Sequence, residues 1–346
     1  MKFRPVPLEQ AEGKILGHHI AAPDGKRAFN KGKPLSQEDI EGLHQLGRTS
    51  VYVAEVEPGD VDEDTAAHRI AAAIQGEGLS LTKAHLGRVN LKAMELGLLV
   101  VDTERLYQLN ECEGITVATL ASHSPVQARQ TVATVKILPF AVPETYLFRA
   151  ETIAFQGDSV LSLREMELRR VALVLSGSPA VEERVVRHFK IPLEERIEAL
   201  GSEITSLDYI PLEDDQGEAD LASVLLQRIA ADADLIILAG ETAIMDRHDI
   251  APRAIEHAGG EVTCFGAPVD PGNLLMLAYL EGIPILGAPG CARSPKTNVI
   301  DWVLPRLLAG YRLTRRDIIS LGHGGLLEDT SLRPVPRSRS NGQRGT

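Results

Sequence analysis

Cysteine is scarce in this chain: Cys112, Cys264 and Cys291 are the three among 346 residues. They are odd in number, far apart and in no CxxC or Cys/His spacing, which argues against a disulfide framework and a cysteine-based zinc site and fits a reducing cytoplasm. Basic charge is also short. Thirty-six Lys and Arg stand against 48 Asp and Glu, a net charge of -12, so the broad cationic surface of a nucleic-acid binder is not available. No apolar run approaches the roughly 20 residues of a membrane-spanning helix, and the opening "MKFRPVPLEQAEG" has no signal-peptide core. The expectation is a cytoplasmic protein with no membrane or nucleic-acid partner.

What remains is an ordinary globular composition, 44% apolar and 24% charged, on a chain long enough for two or three domains. Its texture changes along its length. Over 1–56, Ser36 can cap a helix carrying Ile40, Leu43 and Leu46, followed by a strand centred on Val51–Val53, which makes a small strand-helix-strand unit. Over 57–165, an acidic turn leads into a helix with Ile70 and Ile74 on one face, then into β-branched stretches such as "ITVATLA" and "TVATVKILPFAV". That is a mixed, β-rich domain. The Pro/Ser/Arg-rich end, 329–346, reads as a disordered tail.

Between them, 166–328 alternates strand and helix throughout. "RVALVLSG", "SEITSLDYIPL", "ADLIILAG", "EVTCFGA" and "IPILGAPG" are strands, separated by helical segments such as Val181–Leu200 and "DIAPRAIEHAGG". The pattern predicts an α/β domain with a mostly parallel, doubly wound sheet. Ligands in such sheets bind beyond the carboxyl ends of the strands. Three of those ends carry glycine turns: Ser176-Gly177-Ser178, Gly240-Glu241-Thr242, and Gly287 to Gly290. Each alone reads as readily as a simple strand exit. Their common position points to a shared crevice.

The last turn runs on as "LGAPGCARSPK". Ser294 stands where an N-cap belongs and Pro295 at a first helical position, so a helix is expected to open there, with Pro305 breaking or kinking it. A helix N-terminus flanked by Arg293 and Lys296 suits a phosphate or another oxyanion. For Cys291 two readings stay open, a thiol activated by the nearby cations and a small pocket-lining side chain. No histidine base lies near it in sequence, which favours the second.

A second constellation is "AGETAIMDRHDIAPRAIEHAGG". Asp246 and Asp249, three residues apart, have the oxygen chemistry of a Mg²⁺ site, and equally that of helix caps; for Asp249 capping weighs more. His248 between them is a weak signal for a ligand. Glu241, directly after a strand, can meet a ligand or an ion. In "APVDPGNLLMLAYLEGIPILG", Asp270 and Asn273 flank the turn Pro271-Gly272, and Glu281-Gly282 should join two apolar strands.

These motifs together carry a resemblance. The strand ending in Ser-Gly, "DLIILAG" before an acidic turn, "AGGEV", "VDPGN" and "PILGAPG" resemble the molybdopterin-binding domain of molybdopterin molybdotransferases and adenylyltransferases. "DRHDIAPRAIEHAGGEVTCFGAPVDPGNLLML" and "PGCARSPKTNVIDWVLPRLLAG" are similar to the molybdopterin-binding portion of proteins that continue into a molybdenum cofactor nucleotidyltransferase domain. "FNKGKPLSQEDIEGLHQLGRTSVYV" extends that resemblance to nearly the whole chain.

The resemblance implies a molybdopterin-binding protein of molybdenum cofactor biosynthesis. It implies a pocket built from Ser176, Gly177, Gly240, Thr242, Asp270, Pro271, Gly272, Asn273, Pro289, Gly290, Cys291, Arg293, Ser294 and Lys296. Asp246 and Glu241 are the candidate catalytic groups, with Asp246 and Asp249 holding Mg²⁺ if molybdate is inserted. Partners implied are a separate nucleotidyltransferase or a molybdoenzyme apoprotein, and a homo-oligomeric state. Two other readings remain: a non-catalytic carrier of the finished cofactor, and a pyridine nucleotide hydrolase like the competence-damage-inducible proteins. One departure matters. Where the molybdotransferase turn is glycine-rich, this chain has Gly240-Glu241-Thr242-Ala243-Ile244-Met245, which supports binding better than metal insertion.

Overall fold

A computed structural model describes residues 1–167, 169–211 and 215–327. The tail expected over 329–346 lies outside the described residues. The chain divides into two compact units, Met1–Glu165 and Met166 onward.

In the first unit, Ser50–Glu55 is the central strand of a three-stranded antiparallel sheet with Lys2–Pro7 and Ile15–Leu16. The helix Gln37–Gln45 buries Ile40 and Leu43, with Val6, Leu16 and Val53 in the same core. Its start follows from local chemistry: the Ser36 hydroxyl accepts from the Asp39 N–H, and the Asp39 carboxylate accepts from the Ser36 N–H. A second core forms where the helix Glu63–Ile74 lays Ala66, Ala67, Ile70 and Ile74 against a four-stranded sheet. That sheet runs in the order Ile115–Thr119, Thr131–Ile137, Arg88–Ala93, Leu79–Leu81.

The second unit is α/β. In chain order its elements are β1 (Arg170–Gly177), α1 (Glu182–Ala199), β2 (Glu203–Pro211), α2 (Asp215–Ala230), β3 (Leu235–Gly240), α3 (Ile250–His257), β4 (Glu261–Phe265), β5 (Met276–Leu280), β6 (Ile283–Gly287), α4 (Ile300–Leu308) and α5 (Arg315–Ile319). The six strands form one sheet in the order β2-β1-β3-β6-β5-β4. β1 pairs in parallel with β2 and β3, and β3 with β6; β5 is antiparallel to both its neighbours. The β5–β6 hairpin turns through Glu281 (φ 50°) and Gly282 (φ 84°), a two-residue left-handed turn that suits the twist of antiparallel strands.

Residue alternation along β1 shows why both faces are covered. Val171, Leu173 and Leu175 pack with Val185, Phe189, Leu193 and Ile197 of α1 and with Val303, Leu304 and Leu307 of α4. Ala172 and Val174 point the other way, into a core shared with Leu221 and Leu225 of α2 and Ile255 of α3. An apolar run with no polar alternation is what a strand buried on two sides requires.

Two local expectations need correction. No helix opens at Ser294: Gly290–Arg293 is a single 3-10 turn, Ser294 is extended, and α4 starts at Ile300. The carbonyls of Ser294 and Lys296 accept from the Arg196 guanidinium, at 2.7 and 3.2 Å, which holds this stretch in an open loop. Of the break or kink expected at Pro305, the break is absent: α4 continues to Leu308 around it.

Candidate ligand-binding site

The carboxyl ends of β1, β2 and β3 meet at a turn whose shape depends on missing side chains. A Cβ on Gly177 would lie 2.7 Å from the Tyr209 hydroxyl and 2.8 Å from the Glu241 Cβ, and one on Gly240 would lie 2.7 Å from Ser176 Oγ. Glycine is what allows the strand ends to close on one another. The Tyr209 hydroxyl donates to the Ser178 carbonyl at 2.8 Å, and the Glu241 N–H donates to the Ser176 carbonyl at 2.8 Å. Glu241 itself reaches back: Oε2 accepts from the Ser178 N–H and Oγ–H, both at 3.0 Å, and Oε1 lies 3.5 Å from the Arg184 guanidinium. The Ser178 amide, then its hydroxyl, hold the Glu241 carboxyl below its ordinary range.

Beside this turn is a cavity of about 230 Å³ lined by Arg184, Val185, His188, Phe189, Glu241 and Arg293. Arg184 and His188 are four residues apart on α1, so both project from one face of that helix. Arg293 comes from the 3-10 turn after β6, lies over the Phe189 ring at 5.5 Å, and donates to the Gly290 carbonyl at 2.9 Å. Two guanidinium groups and an imidazole around one carboxylate make a site suited to an anion.

The adjoining loop is held from below. Arg196 donates to Ser294 O at 2.7 Å, Pro192 O at 3.1 Å, Lys296 O at 3.2 Å and Ala292 O at 3.4 Å, and pairs with Asp301 at 2.9 Å. Buried Asn298 donates to the carbonyls of Cys291 and Lys296 and accepts from the Ile300 N–H, capping α4. Cys291 is half-buried in this loop, and burial pushes its thiol up. That speaks against an activated thiolate, and Cys291 is not among the residues lining the cavity.

The predicted residues therefore fall into groups. Glu241 and Arg293 line one cavity, next to Ser176, Gly177 and Gly240. Pro289, Gly290, Cys291, Ser294 and Lys296 form the clamped loop, with Lys296 exposed. The turn at Asp270, Pro271, Gly272 and Asn273 packs on the start of α4: the Val299 N–H donates to Pro271 O, and a Cβ on Gly272 would lie 2.4 Å from Val299 Cγ1. Thr242 is exposed. The cavity lining does not include Asp246, Asp249 or Lys296.

Asp249 caps α3, one oxygen accepting from the Ile250 N–H at 2.8 Å and the other from the Met245 N–H at 3.1 Å, while Asp246 accepts from the His248 N–H at 2.8 Å. Among the described residues, no group of three or more His, Cys, Asp or Glu could hold a metal ion. The bonds made by Asp246 and Asp249 are those of turn and helix caps.

Sequence reasoning missed Arg184, His188, Arg196 and Asn298. A signal existed for the first two, since Arg184 and His188 each directly precede a residue of the Val185/Phe189 core stripe. None existed for Arg196, whose partners in the loop are about a hundred residues away.

Residues 5–55 match the family model described as "Domain of unknown function (DUF8806)". No curated protein matches the chain. Among solved structures, a molybdopterin biosynthesis MoeA protein from Pyrococcus horikoshii is similar over 89% of this chain and 75% of its own, at 15% identity and a TM-score of 0.30. A molybdenum cofactor biosynthesis protein from Pyrococcus furiosus is similar over 92% of this chain and 65% of its own, at 13% identity and a TM-score of 0.21. The molybdopterin biosynthesis enzyme MoaB from Thermus thermophilus is similar over 42% of this chain and 98% of its own, at 17% identity and a TM-score of 0.29. Likenesses at such identities and TM-scores assign no activity to the chain.

Proposed function

We propose that this protein binds molybdopterin within molybdenum cofactor biosynthesis, with the anionic end of the ligand in the cavity between α1 and the turn after β6. The observation that carries the reading is the convergence of Arg184, His188 and Arg293 on one cavity at the carboxyl ends of parallel strands, where ligands of such sheets bind. The motifs "VDPGN" and "PILGAPG", through which the sequence resembles molybdopterin-binding domains, belong to the same sheet and loops. At about 230 Å³ the cavity is smaller than the roughly 300–1,000 Å³ of a typical small-molecule pocket. It holds one end of a ligand, and the ring system extends over the loop of Gly290 to Lys296.

Binding without metal chemistry, as in a carrier that delivers the cofactor to a nucleotidyltransferase or apoenzyme, is favoured by one observation. The carboxylates of Asp246 and Asp249 accept from backbone amides as caps do, and neither lines the cavity. The test is an anaerobic titration of the protein with molybdopterin, wild type against Arg293→Ala and Lys296→Ala. Binding weakened at least tenfold by Arg293→Ala supports the reading. Absence of binding by the wild type, with or without molybdate and Mg²⁺, removes it. Molybdate incorporation lost in Asp246→Ala would replace the carrier with an enzyme.

A further inference from the structure

Among the described residues, Glu241 is the one acidic side chain lining the cavity, and it sits among donors. Its carboxylate receives a backbone amide and a hydroxyl from Ser178, both at 3.0 Å, with the Arg184 guanidinium at 3.5 Å. An amide, a hydroxyl and a guanidinium converging on two oxygens are the parts of an oxyanion receptor. The fold does not need a carboxylate there. β1 and β3 are already joined by their register from Val171↔Leu235 to Ser176↔Gly240 and by the backbone bond from Glu241 to Ser176. The side chain is 31% exposed, so it fills no core.

We propose that the Ser178 N–H and Oγ–H together with Arg184 form a subsite for a tetrahedral oxyanion, a phosphoryl group or a metal oxyanion, and that the Glu241 carboxylate is its internal occupant, displaced when the ligand arrives. The proposal rests on the reading of this cavity as the ligand site. Arg293 faces the same space as Arg184, so a dianion entering it meets guanidinium groups on two sides once the glutamate swings out. Glu241 is a carboxylate at neutral pH, and the Ser178 bonds favour that form further, so it competes as an anion.

The test uses the full chain and two probes, inorganic phosphate and molybdate, titrated calorimetrically against wild type, Glu241→Ala, Glu241→Gln and the double variant Glu241→Ala/Arg184→Ala, with thermal melting as the check on folding. Removing the occupant should tighten binding of at least one probe by about tenfold or more, the floor set by one unit charge acting on a dianion from roughly 5 Å with nearly bulk-water screening. The double variant should lose that gain. Glu241→Gln, which keeps the shape, should shift in the same direction, and it carries the test if the alanine variant does not fold. A preference for phosphate or for molybdate supports the subsite and names the group it takes. Folded variants that bind no more tightly than wild type overturn the proposal, as does a gain that survives loss of Arg184. The molybdopterin titration separates the two readings. A wild type that binds molybdopterin while the variants gain nothing loses only the subsite. Variants that gain phosphate affinity while no form binds molybdopterin leave the subsite and remove the cofactor.

Discussion

Arg196→Ala should damage the candidate site, although Arg196 is not among the residues lining the cavity. Its side chain is 12% exposed and donates to backbone carbonyls on both sides of the loop, Ala292 and Ser294 before Pro295 and Lys296 after it, while pairing with Asp301. Breaking a buried ion pair by removing one partner costs about 3–5 kcal/mol, and a hydrogen bond to a charged group about 1.5–3 kcal/mol. Asp301 is 30% exposed and still accepts from the Asn298 N–H, so it is not left bare. The lower end applies, about 3 kcal/mol. Trp302, the single tryptophan, lies on α4 next to this network and makes a local fluorescence probe.

With a urea slope of about 2 kcal/mol/M, the unfolding midpoint seen by Trp302 should fall by roughly 1.5 M. Arg196→Lys keeps the charge but lacks the fork, and should recover no more than about half of that shift. Anaerobic titration of Arg196→Ala at low urea should show molybdopterin affinity reduced along with the stability. A midpoint shift equivalent to less than about 1 kcal/mol would refute the reasoning, because the loop would then hold its shape without the clamp.

Three further outcomes are expected. Gly272→Ala places a Cβ 2.4 Å from Val299 Cγ1 at φ 136°, so it should destabilise the second unit by about 2–4 kcal/mol in thermal or urea melts. Tyr279→Phe removes a buried hydroxyl that accepts from the Leu313 N–H at 2.8 Å and donates to its carbonyl at 3.1 Å, and should cost about 1–3 kcal/mol by the same assay. In the first unit, the Lys33 bond and then the Ser36 bonds hold the Asp39 carboxyl below its ordinary range. Its contribution is therefore complete above the unfolded value near pH 4 and is lost as pH falls through the lower folded value, so Asp39→Asn should be less stable than wild type by about 1 kcal/mol at pH 6 and converge with it toward pH 2.

The sheet of the second unit was legible because its physics is local. A strand such as Leu235–Ala239, buried on both faces, must be apolar at every position, and glycine must follow where strand ends crowd together. The clamped loop was not legible for the opposite reason. Ser294-Pro295 has the local signature of a helix start, and the Arg196 guanidinium that takes its carbonyls lies 98 residues away. Arg184 and His188 required the phase of α1 against the sheet, which emerges only when Val185 and Phe189 are seen to enter the core.

Glu241 lies between these cases. Against a glycine-rich expectation for that turn it reads as a lost glycine, which supports binding better than metal insertion. In three dimensions the same carboxylate accepts two hydrogen bonds from Ser178 and lies beside Arg184. On the proposed reading, the turn is an oxyanion subsite with a carboxylate already in it. Absence of glycine there leaves the donors in place, so on the proposed reading the ease with which one carboxylate leaves them sets the affinity for the oxyanion.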